Sequence, residues 1–247
     1  MTKYLLIILF SLFLSFTYGQ TFNEKYGQPV VVLIETNPWL MVIGSDVPTF
    51  ALYENGQIIY KKIVNKRWKY FETKNDREAT QKIIKSLGIT DSLMKQSAVT
   101  DASDATDQPD NIMLLNFDTL RQIRVYGSIR KQPEARQRTP RNFLKVFDNI
   151  INFEDKSATE WLPDTFEVMV SEYSNSPEKP LKWNKEWNDL NSKSTVKRNE
   201  DSYSIYIEKR YFQDFIKFLN SFKEKQAAEI NGKKYFVTYR LPFPNLK

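Results

Sequence analysis

The chain has 247 residues, 36 Lys plus Arg against 30 Asp plus Glu, a formal net charge of +6, and neither His nor Cys. Without His there is no Ser-His-Asp triad and no imidazole metal ligand, and without Cys there is no thiolate ligand, disulfide or thiol redox chemistry. An enzyme would have to use carboxylates, Ser with Lys, Tyr or an oxygen-ligated ion. Hydrophobic residues make up 41% and aromatic residues 14% of the chain, which supplies a core and excludes disorder of the whole chain.

The N-terminus has the layout of a secretory signal peptide. Lys3 gives a positive start, residues 4–16 form an apolar run, and Thr17 and Gly19 are small residues at the −3 and −1 positions. The run is shorter than the ~20 apolar residues of a membrane span. We therefore predict that residues 1–19 are a signal peptide and that the mature chain is 20–247. An uncleaved membrane anchor is the alternative.

Removal of the leader takes away Lys3, so the mature net charge is +6 − 1 = +5. The absence of Cys excludes a lipid anchor on a new N-terminal Cys. It also indicates a bacterial periplasm or exterior, because small secreted eukaryotic domains are often rich in disulfides. The predicted location is therefore exported, periplasmic or extracellular, and bacterial, and no membrane span is predicted after cleavage.

The first part of the mature chain predicts an antiparallel sheet. β-branched and aromatic runs occur at 30–35, 39–43, 49–53, 58–62 and 67–74. Asn55-Gly56 separates two of these runs and predicts a hairpin, because both residue types tolerate positive φ. The stretch from Asn75 to Glu78 predicts a capping box at the start of a helix, and Gly88 predicts its end.

The second part mixes strands and helices. A hairpin is predicted at 112–117 and 120–126, a helix from Thr139-Pro140 to about 151, and a second helix over 211–222, with strands at 166–171, 203–207 and 234–241. The polar stretch 174–198 predicts a long loop. The expected fold is α+β, a mainly antiparallel sheet with about three helices. We predict one domain over 20–247, with a possible weak boundary within 174–198.

Three short motifs carry a resemblance to a protein family. Residues 48–56 read PTFALYENG, which resembles the P-x-F-x-L-Y-x-D/N-G hairpin of an uncharacterised family of exported bacterial proteins, many of them lipoproteins. Val99-Thr100-Asp101 with Val125-Tyr126-Gly127, and Tyr239-Arg240-Leu241-Pro242, are similar to later family motifs in order and spacing. The chain departs from the family in lacking the lipobox Cys and in the run of Asp after Thr100. The resemblance implies an exported globular α+β protein and transfers no catalytic residue.

Four acidic residues recur at every third position of one loop: Asp101, Asp104, Asp107 and Asp110. Calcium takes six to eight oxygen ligands, so such a loop has suitable ligands. The spacing does not match an EF-hand, the loop has no Gly, and Asp also favours turns by itself. A solvated loop is the preferred interpretation and calcium the weaker alternative. No other cofactor and no metal ligand is predicted.

Two segments combine basic residues in patterns that could bind anions. Eight Lys or Arg residues lie between Arg121 and Lys145 against one acid, Glu134, and residues 66–71 read KRWKYF. Basic and aromatic side chains together can bind phosphates and stack on rings. For an exported protein, an anionic glycan or an acidic protein is the expected partner, and nucleic acid is unlikely. The alternative is a strand with Trp68 and Tyr70 inward and its Lys residues outward.

Three tryptophans are close in sequence to carboxylates. They are Trp161, Trp183 and Trp187, with Glu160, Asp164, Glu186 and Asp189 beside them. Aromatic platforms beside paired carboxylates are the parts of a glycosidase. Trp183 and Trp187 are four residues apart, however, so one helical turn would place both on one buried face. A core role is preferred, with sugar binding and catalysis as alternatives.

The sequence favours an exported, non-catalytic binding or envelope-associated protein of unknown ligand. It has no catalytic motif, no Gly-rich phosphate loop and no dinucleotide-binding fingerprint, so an enzyme is disfavoured without being excluded. No catalytic, cofactor-binding or metal-binding residue is assigned, and the oligomeric state is not predicted. Two alternatives stay open: a carboxylate-dependent hydrolase of an envelope glycan, and a periplasmic inhibitor or immunity-type partner of another protein.

Overall fold

The structure is a computed structural model that describes residues 22–39 and 46–246. The predicted leader at 1–19 lies outside these residues. So does most of the predicted strand at 39–43, of which only Trp39 is described, in a turn. Every element reported below therefore belongs to the mature chain as predicted from the sequence.

The first sheet contains eight strands within the described residues: β1 (Pro29–Glu35), β2 (Phe50–Tyr53), β3 (Gln57–Val64), β4 (Arg67–Lys74), β5 (Val99–Asp101), β6 (Asp110–Asn116), β7 (Leu120–Tyr126) and β8 (Thr159–Glu160). Their spatial order is β5-β7-β6-β1-β2-β3-β4-β8. All neighbours are antiparallel except β5 and β7, which are parallel. The predicted hairpins β2–β3 and β6–β7 are both present.

The second sheet contains six strands in the same part of the chain: β9 (Thr165–Glu172), β10 (Leu181–Lys182), β11 (Val196–Lys197), β12 (Ser202–Glu208), β13 (Ala228–Ile230) and β14 (Lys233–Arg240). Their order is β10-β13-β14-β9-β12-β11, with one parallel pair, β10 with β13. The polar stretch 174–198 therefore supplies a short strand to each edge of this sheet instead of forming one continuous loop.

The described residues form five α-helices: α1 (Arg77–Leu87), α2 (Asp91–Met94), α3 (Pro133–Arg138), α4 (Arg141–Ile151) and α5 (Phe212–Asn220), the last preceded by a 3₁₀ turn at Lys209–Tyr211. The α+β class and the mainly antiparallel strand pairing are as predicted, but the strands form two sheets where one was expected. The expected number of about three helices is wrong. The two additional helices have four and six residues, which is too short to show a 3.6-residue hydrophobic period.

Alternation along the strands divides the core of the first sheet between two faces. Val31 and Leu33 lie in one buried cluster with Phe143 and Phe147 of α4. Val32 lies on the opposite face and belongs to the cluster that contains the core of the second sheet. Helices α1–α4 thus cover one face of the first sheet, while α5 and the second sheet share a core with the other face.

Aromatic contacts join the two sheets. The chain passes from β8 directly into β9, and Trp161 in this link lies 6.2 Å, between ring centroids, from Tyr70 of β4. Phe243, just after β14, lies 5.7 Å from Tyr70 and 5.1 Å from Trp161. The Tyr53 hydroxyl donates to the Pro244 carbonyl at 2.9 Å. We call Tyr70, Trp161 and Phe243 the aromatic seam.

The turn of the β2–β3 hairpin differs from the expected one in a single respect. Gly56 has φ of +82°, but Asn55 is not among the residues with positive φ. The Gly56 N–H donates to the Tyr53 carbonyl at 2.9 Å. Glu54 and Asn55 are therefore the two central residues of the turn, and Gly56 is its last residue. Only Gly56 therefore requires the conformational freedom of glycine here.

Gly56→Ala should destabilise the protein more than Gly232→Ala, although both glycines have φ of +82°. A Cβ on Gly56 would lie 2.2 Å from the Asn75 carbonyl oxygen, whereas a Cβ on Gly232 meets no atom within 4 Å. The shared left-handed strain costs about 1–2 kcal/mol, and overpacking adds about 1–3 kcal/mol at Gly56 alone. Thermal melts of both variants measure the difference. Equal melting temperatures would contradict the close approach of Asn75.

A buried carboxylate joins three strands of the second sheet. Glu167 of β9 is 1% exposed and accepts hydrogen bonds from Ser204 at 2.5 Å, Arg198 at 2.9 Å and Arg240 at 2.6 Å. Burial acts to raise the pKa of Glu167, but the Ser204 hydrogen bond, the charge of Arg240 and the hydrogen bonds from both arginines outweigh it and lower the pKa. The carboxylate is therefore ionised in the folded protein and opposes the repulsion of the two guanidinium groups.

Glu167→Gln should lower the free energy of unfolding by about 3 kcal/mol at neutral pH, because it removes a buried anion that pairs with both Arg198 and Arg240. Glu78→Gln is the control: it removes an exposed pair with Lys82 and should cost less than about 0.5 kcal/mol.

The folded-state pKa of Glu167 lies below the ordinary value of 4.5. Its stabilising effect is therefore complete above that value and is lost as pH falls through the folded-state pKa. Denaturant titrations of wild type and Glu167→Gln should converge as the solution is acidified. A difference that stays constant down to about pH 3 would contradict this assignment.

Candidate functional site

A cleft lies at the junction of the two sheets. Its volume is about 600 Å³. One wall is the outer end of β4, the floor is the β8–β9 link with Trp161 and Leu162, and the other wall is α5 with the end of β14. We call it the junction cleft. Its volume is in the range of small-molecule sites, which are concave and largely apolar with a few polar groups.

The β4 wall comes from the basic and aromatic segment identified in the sequence. Trp68 pairs with Ile63 and Tyr70 with Lys61 across the β3–β4 hairpin, so the two rings share the face that lines the cleft. Trp68 is 52% exposed, while Tyr70 is half-buried in the aromatic seam. Lys69 alternates with both along the strand, yet it also lines the edge of the cleft together with its ion-pair partner Glu160. The sequence offered two interpretations of this segment, a ligand-binding surface and a strand with its aromatic rings in the core. Tyr70 agrees with the second, because it packs in the aromatic seam, and Trp68 agrees with the first, because it lies exposed at the cleft mouth.

The opposite wall is apolar and belongs to the second sheet. Phe212, Ile216 and Leu219 of α5 line it together with Tyr239 of β14. Phe212 lies 5.7 Å from Tyr239 in an edge-on arrangement, which fixes the helix against the strand. Exposed Gln213 and Asn220 supply neutral polar groups on the same helix. A ring that enters the cleft would therefore lie between Trp68 and an apolar helix face.

The cleft rim is positively charged. Lys66, Arg67 and Lys69 line it, and Glu160 is the one acid in this lining. Glu160 already accepts from the Lys69 ammonium at 2.6 Å. Burial raises the pKa of Tyr70 and of Tyr239 above the ordinary value of 10. Both tyrosines therefore keep neutral hydroxyl groups.

A charged network supports Trp68 from the core side. The Lys61 ammonium lies 4.5 Å from the centroid of the Trp68 ring, a cation–π distance. Burial lowers the pKa of Lys61, and the charge of Glu35 opposes this effect. Arg130 donates two hydrogen bonds to Glu35, at 2.5 and 2.7 Å. Lys61 thus holds a positive charge against the Trp68 ring, and Glu35 and Arg130 lie behind it.

The four Asp side chains of the loop 101–110 do not converge on one common site. Asp104 pairs with Arg138 at 2.7 Å and Asp110 with Arg124 at 2.6 Å. Asp101 is exposed on β5 and Asp107 sits in a turn with φ of +55°. Within residues 22–39 and 46–246, no three acidic side chains are placed to hold a metal ion. Calcium binding stays an untested alternative.

The basic stretch between Arg121 and Lys145 is mostly engaged within the protein. Five of its eight basic side chains bond to protein acceptors: Arg121 to the Gln96 carbonyl, Arg124 to Asp110, Arg130 to Glu35, Arg136 to Asp148 and Arg138 to Asp104. Lys131, Arg141 and Lys145 are exposed. This segment therefore offers less free positive charge than its sequence indicates.

The three tryptophans separate into two places. Trp183 and Trp187 lie 5.1 Å apart, and Trp187 packs against Phe215 and Phe218 of α5 at 5.5 and 5.4 Å. Trp187 is 5% exposed, which agrees with the preferred core role. Trp161 is 3% exposed and belongs to the same core, and its remaining surface lies at the floor of the junction cleft.

The nearby carboxylates are largely occupied by protein groups. Asp164 pairs with Lys209 at 2.6 Å, and Asp189 accepts from the Asn231 amide at 2.9 Å. Glu186 is exposed. Of the four acids considered in the sequence, Glu160 alone lines the junction cleft.

The α5 wall is what sequence reasoning missed. The helix itself was predicted, but Phe212, Ile216 and Leu219 read as a core stripe. The stripe does face inward at Phe215, which is fully buried, while the flanking apolar residues remain half-buried in the cleft. No pattern in one sequence indicates which edge of a hydrophobic stripe stays open.

No family model, curated protein or solved structure matches this chain. The resemblance to exported bacterial proteins therefore stays a prediction. Among the residues that the structure describes, no helix has the length and apolar character needed to cross a bilayer.

Proposed function

We propose that this chain is an exported, non-catalytic binding protein whose junction cleft takes an anionic glycan. The observation that carries the proposal is the cleft lining. It joins an exposed Trp68 and an apolar helix face to a rim of three cations, with Glu160 as the one acid. Sugar rings present apolar faces that stack on aromatic rings, and carboxylate groups pair with Lys and Arg.

The lining favours binding over glycoside hydrolysis. Hydrolysis of a glycosidic bond ordinarily uses two carboxyl groups, about 5–5.5 Å apart in retaining enzymes and about 6.5–9.5 Å apart in inverting ones. Glu160 stands alone in this lining and is paired with Lys69. The hydrolase alternative would have to recruit a second acid from outside the described lining.

Trp68→Ala should weaken binding of a short oligogalacturonate about tenfold, because it removes the aromatic platform. Gln213→Glu should weaken it severalfold, because it adds a negative charge to the α5 wall. The matched controls are Trp39→Ala and Gln137→Glu, which make the same changes at exposed positions outside the cleft lining. Calorimetry measures all four affinities.

Two further conditions test the charge component. The fully methyl-esterified oligosaccharide should bind more weakly than the acid form, because it has the same rings without their charges. Added salt should weaken binding of the acid form, because the Debye length falls to about 8 Å at 0.15 M. Equal affinity for both forms, or equal losses in the control variants, would contradict the proposed cleft.

Glu160→Gln separates binding from hydrolysis. It removes the rim's acid and frees Lys69, so affinity for oligogalacturonate should rise by up to about fivefold. Stability should change by less than about 1 kcal/mol, because the pair is exposed. Reducing ends released from purified peptidoglycan by wild type, and lost in Glu160→Gln, would instead establish the hydrolase alternative. A constitutive stoichiometric protein partner in the purified material would favour the inhibitor alternative.

A further inference from the structure

The β3–β4 hairpin extends beyond the rest of the first sheet. Strand β2 pairs with β3 only as far as Tyr60, and β8 pairs with β4 only at Phe71 and Glu72. The outer part of the hairpin, residues 62–69, pairs only within itself among the described strands. We call these residues the hairpin tip. Three residue pairs at roughly 3.4 Å each give a projection of about 10 Å.

The hairpin tip exposes an apolar pair. Ile63 is 61% and Trp68 52% exposed, and the two residues are direct cross-strand partners on one face. The turn residues Asn65 and Lys66 both have positive φ, 51° and 62°, as in the tight turns that fit the twist of a two-residue hairpin. An isolated two-stranded ribbon is only marginally stable in water. The Ile63–Trp68 contact supports the ribbon as a cross-strand pair, and it still leaves more than half of each side chain open to solvent.

The hairpin tip is also strongly basic. Residues 62–69 contain Lys62, Lys66, Arg67 and Lys69 and no acid. Lys62 pairs with Glu154 at 3.0 Å and Lys69 with Glu160 at 2.6 Å. Neither Lys66 nor Arg67 pairs with a carboxylate in the part of the chain that the structure describes. The charge is thus greatest at the end of the projection.

We propose that the hairpin tip inserts shallowly into the surface of a bilayer that contains anionic phospholipid. Trp side chains are enriched at the depth of lipid headgroups, and Lys and Arg bury their alkyl stems while their charges reach headgroup phosphates. A glycan would offer the negative charge but no apolar layer for Ile63. The combination of an apolar end and unpaired cations therefore fits an anionic lipid surface best.

This inference goes beyond the proposed glycan binding, because Ile63 is not part of the cleft lining. The two functions share Lys66, Arg67 and Trp68 but differ in Ile63, which belongs to the hairpin tip alone, and in Gln213 of α5, which belongs to the cleft alone. A tip held at a membrane would keep the mouth of the junction cleft close to the bilayer surface, since Lys66, Arg67 and Trp68 line that mouth.

The test is cosedimentation with vesicles, using the chain from Gln20, which precedes every described element. Vesicles of phosphatidylcholine with phosphatidylglycerol should bind the protein more strongly than phosphatidylcholine alone. Ile63→Ser should reduce binding at least tenfold, because an inserted Ile side chain is lost. The double variant Lys66→Gln with Arg67→Gln should reduce it about 25-fold, at about fivefold for each basic residue.

Two matched controls separate the hairpin tip from general surface properties. Leu120→Ser removes an apolar side chain of 68% exposure at the β6–β7 hairpin. Lys131→Gln with Arg141→Gln removes two exposed cations elsewhere. Neither control should change vesicle binding, and Gln213→Glu should leave it unchanged while weakening oligogalacturonate. Thermal melts establish that each variant is folded.

Several results would overturn the inference. They are no binding of wild type to anionic vesicles, equal binding to neutral vesicles, or equal losses in tip and control variants. Loss of vesicle binding in Gln213→Glu with retention in Ile63→Ser would assign lipid contact to the junction cleft instead. If Ile63→Ser binds vesicles normally but loses a copurifying protein, the hairpin tip is a protein-docking element and the membrane proposal is wrong.

Discussion

The aromatic seam is the contact on which the candidate site depends. Tyr70 ends the exposed part of β4, Trp161 follows β8, and Phe243 follows β14, so three distant parts of the chain meet edge-on within 5.1–6.2 Å. Edge-on aromatic pairs add about 0.5–1.5 kcal/mol each beyond their buried area. Because this contact holds β4 beside α5 at a fixed separation, the space between them remains an open cleft instead of closing into core.

Local patterns in the sequence predicted most of the longer strands and helices. Alternation defined β4, Asn-Gly marked the β2–β3 hairpin, and Gly88 ends α1 with a left-handed φ of +78°, as expected. The unpredicted pieces are short: α2 and α3, and strands such as β10 and β11 with two residues each. β10 forms because β13 pairs with it, and that partner lies far away in sequence. β11 pairs with the adjacent β12, but two residues are too few to show an alternation, and α2 and α3 are too short to show a helical period.

The cleft could not be predicted for a related reason. Its walls combine residues near 66–70, 160–162, 212–220 and 239–241, and no spacing rule relates positions that lie so far apart. The sequence also overstated the free positive charge of the longer basic segment. Most of the basic side chains between Arg121 and Lys145 bond to acceptors within the protein. Arg130, for example, makes a bidentate bond to Glu35. The shorter segment at Lys66 and Arg67 leaves its charge available, because a projecting turn brings few carboxylates within reach.

The absence of histidine also limits how binding at the cleft can respond to pH. Histidine is the side chain whose unperturbed pKa puts its charge change between about pH 5 and 8, and the chain has none. Burial moves Tyr70 and Tyr239 further from that range by raising their pKa values. Neither tyrosine therefore gains a charge over ordinary pH. Salt, divalent ions on the ligand and the density of anionic groups become the variables that can strengthen or weaken binding at the cleft and at the hairpin tip.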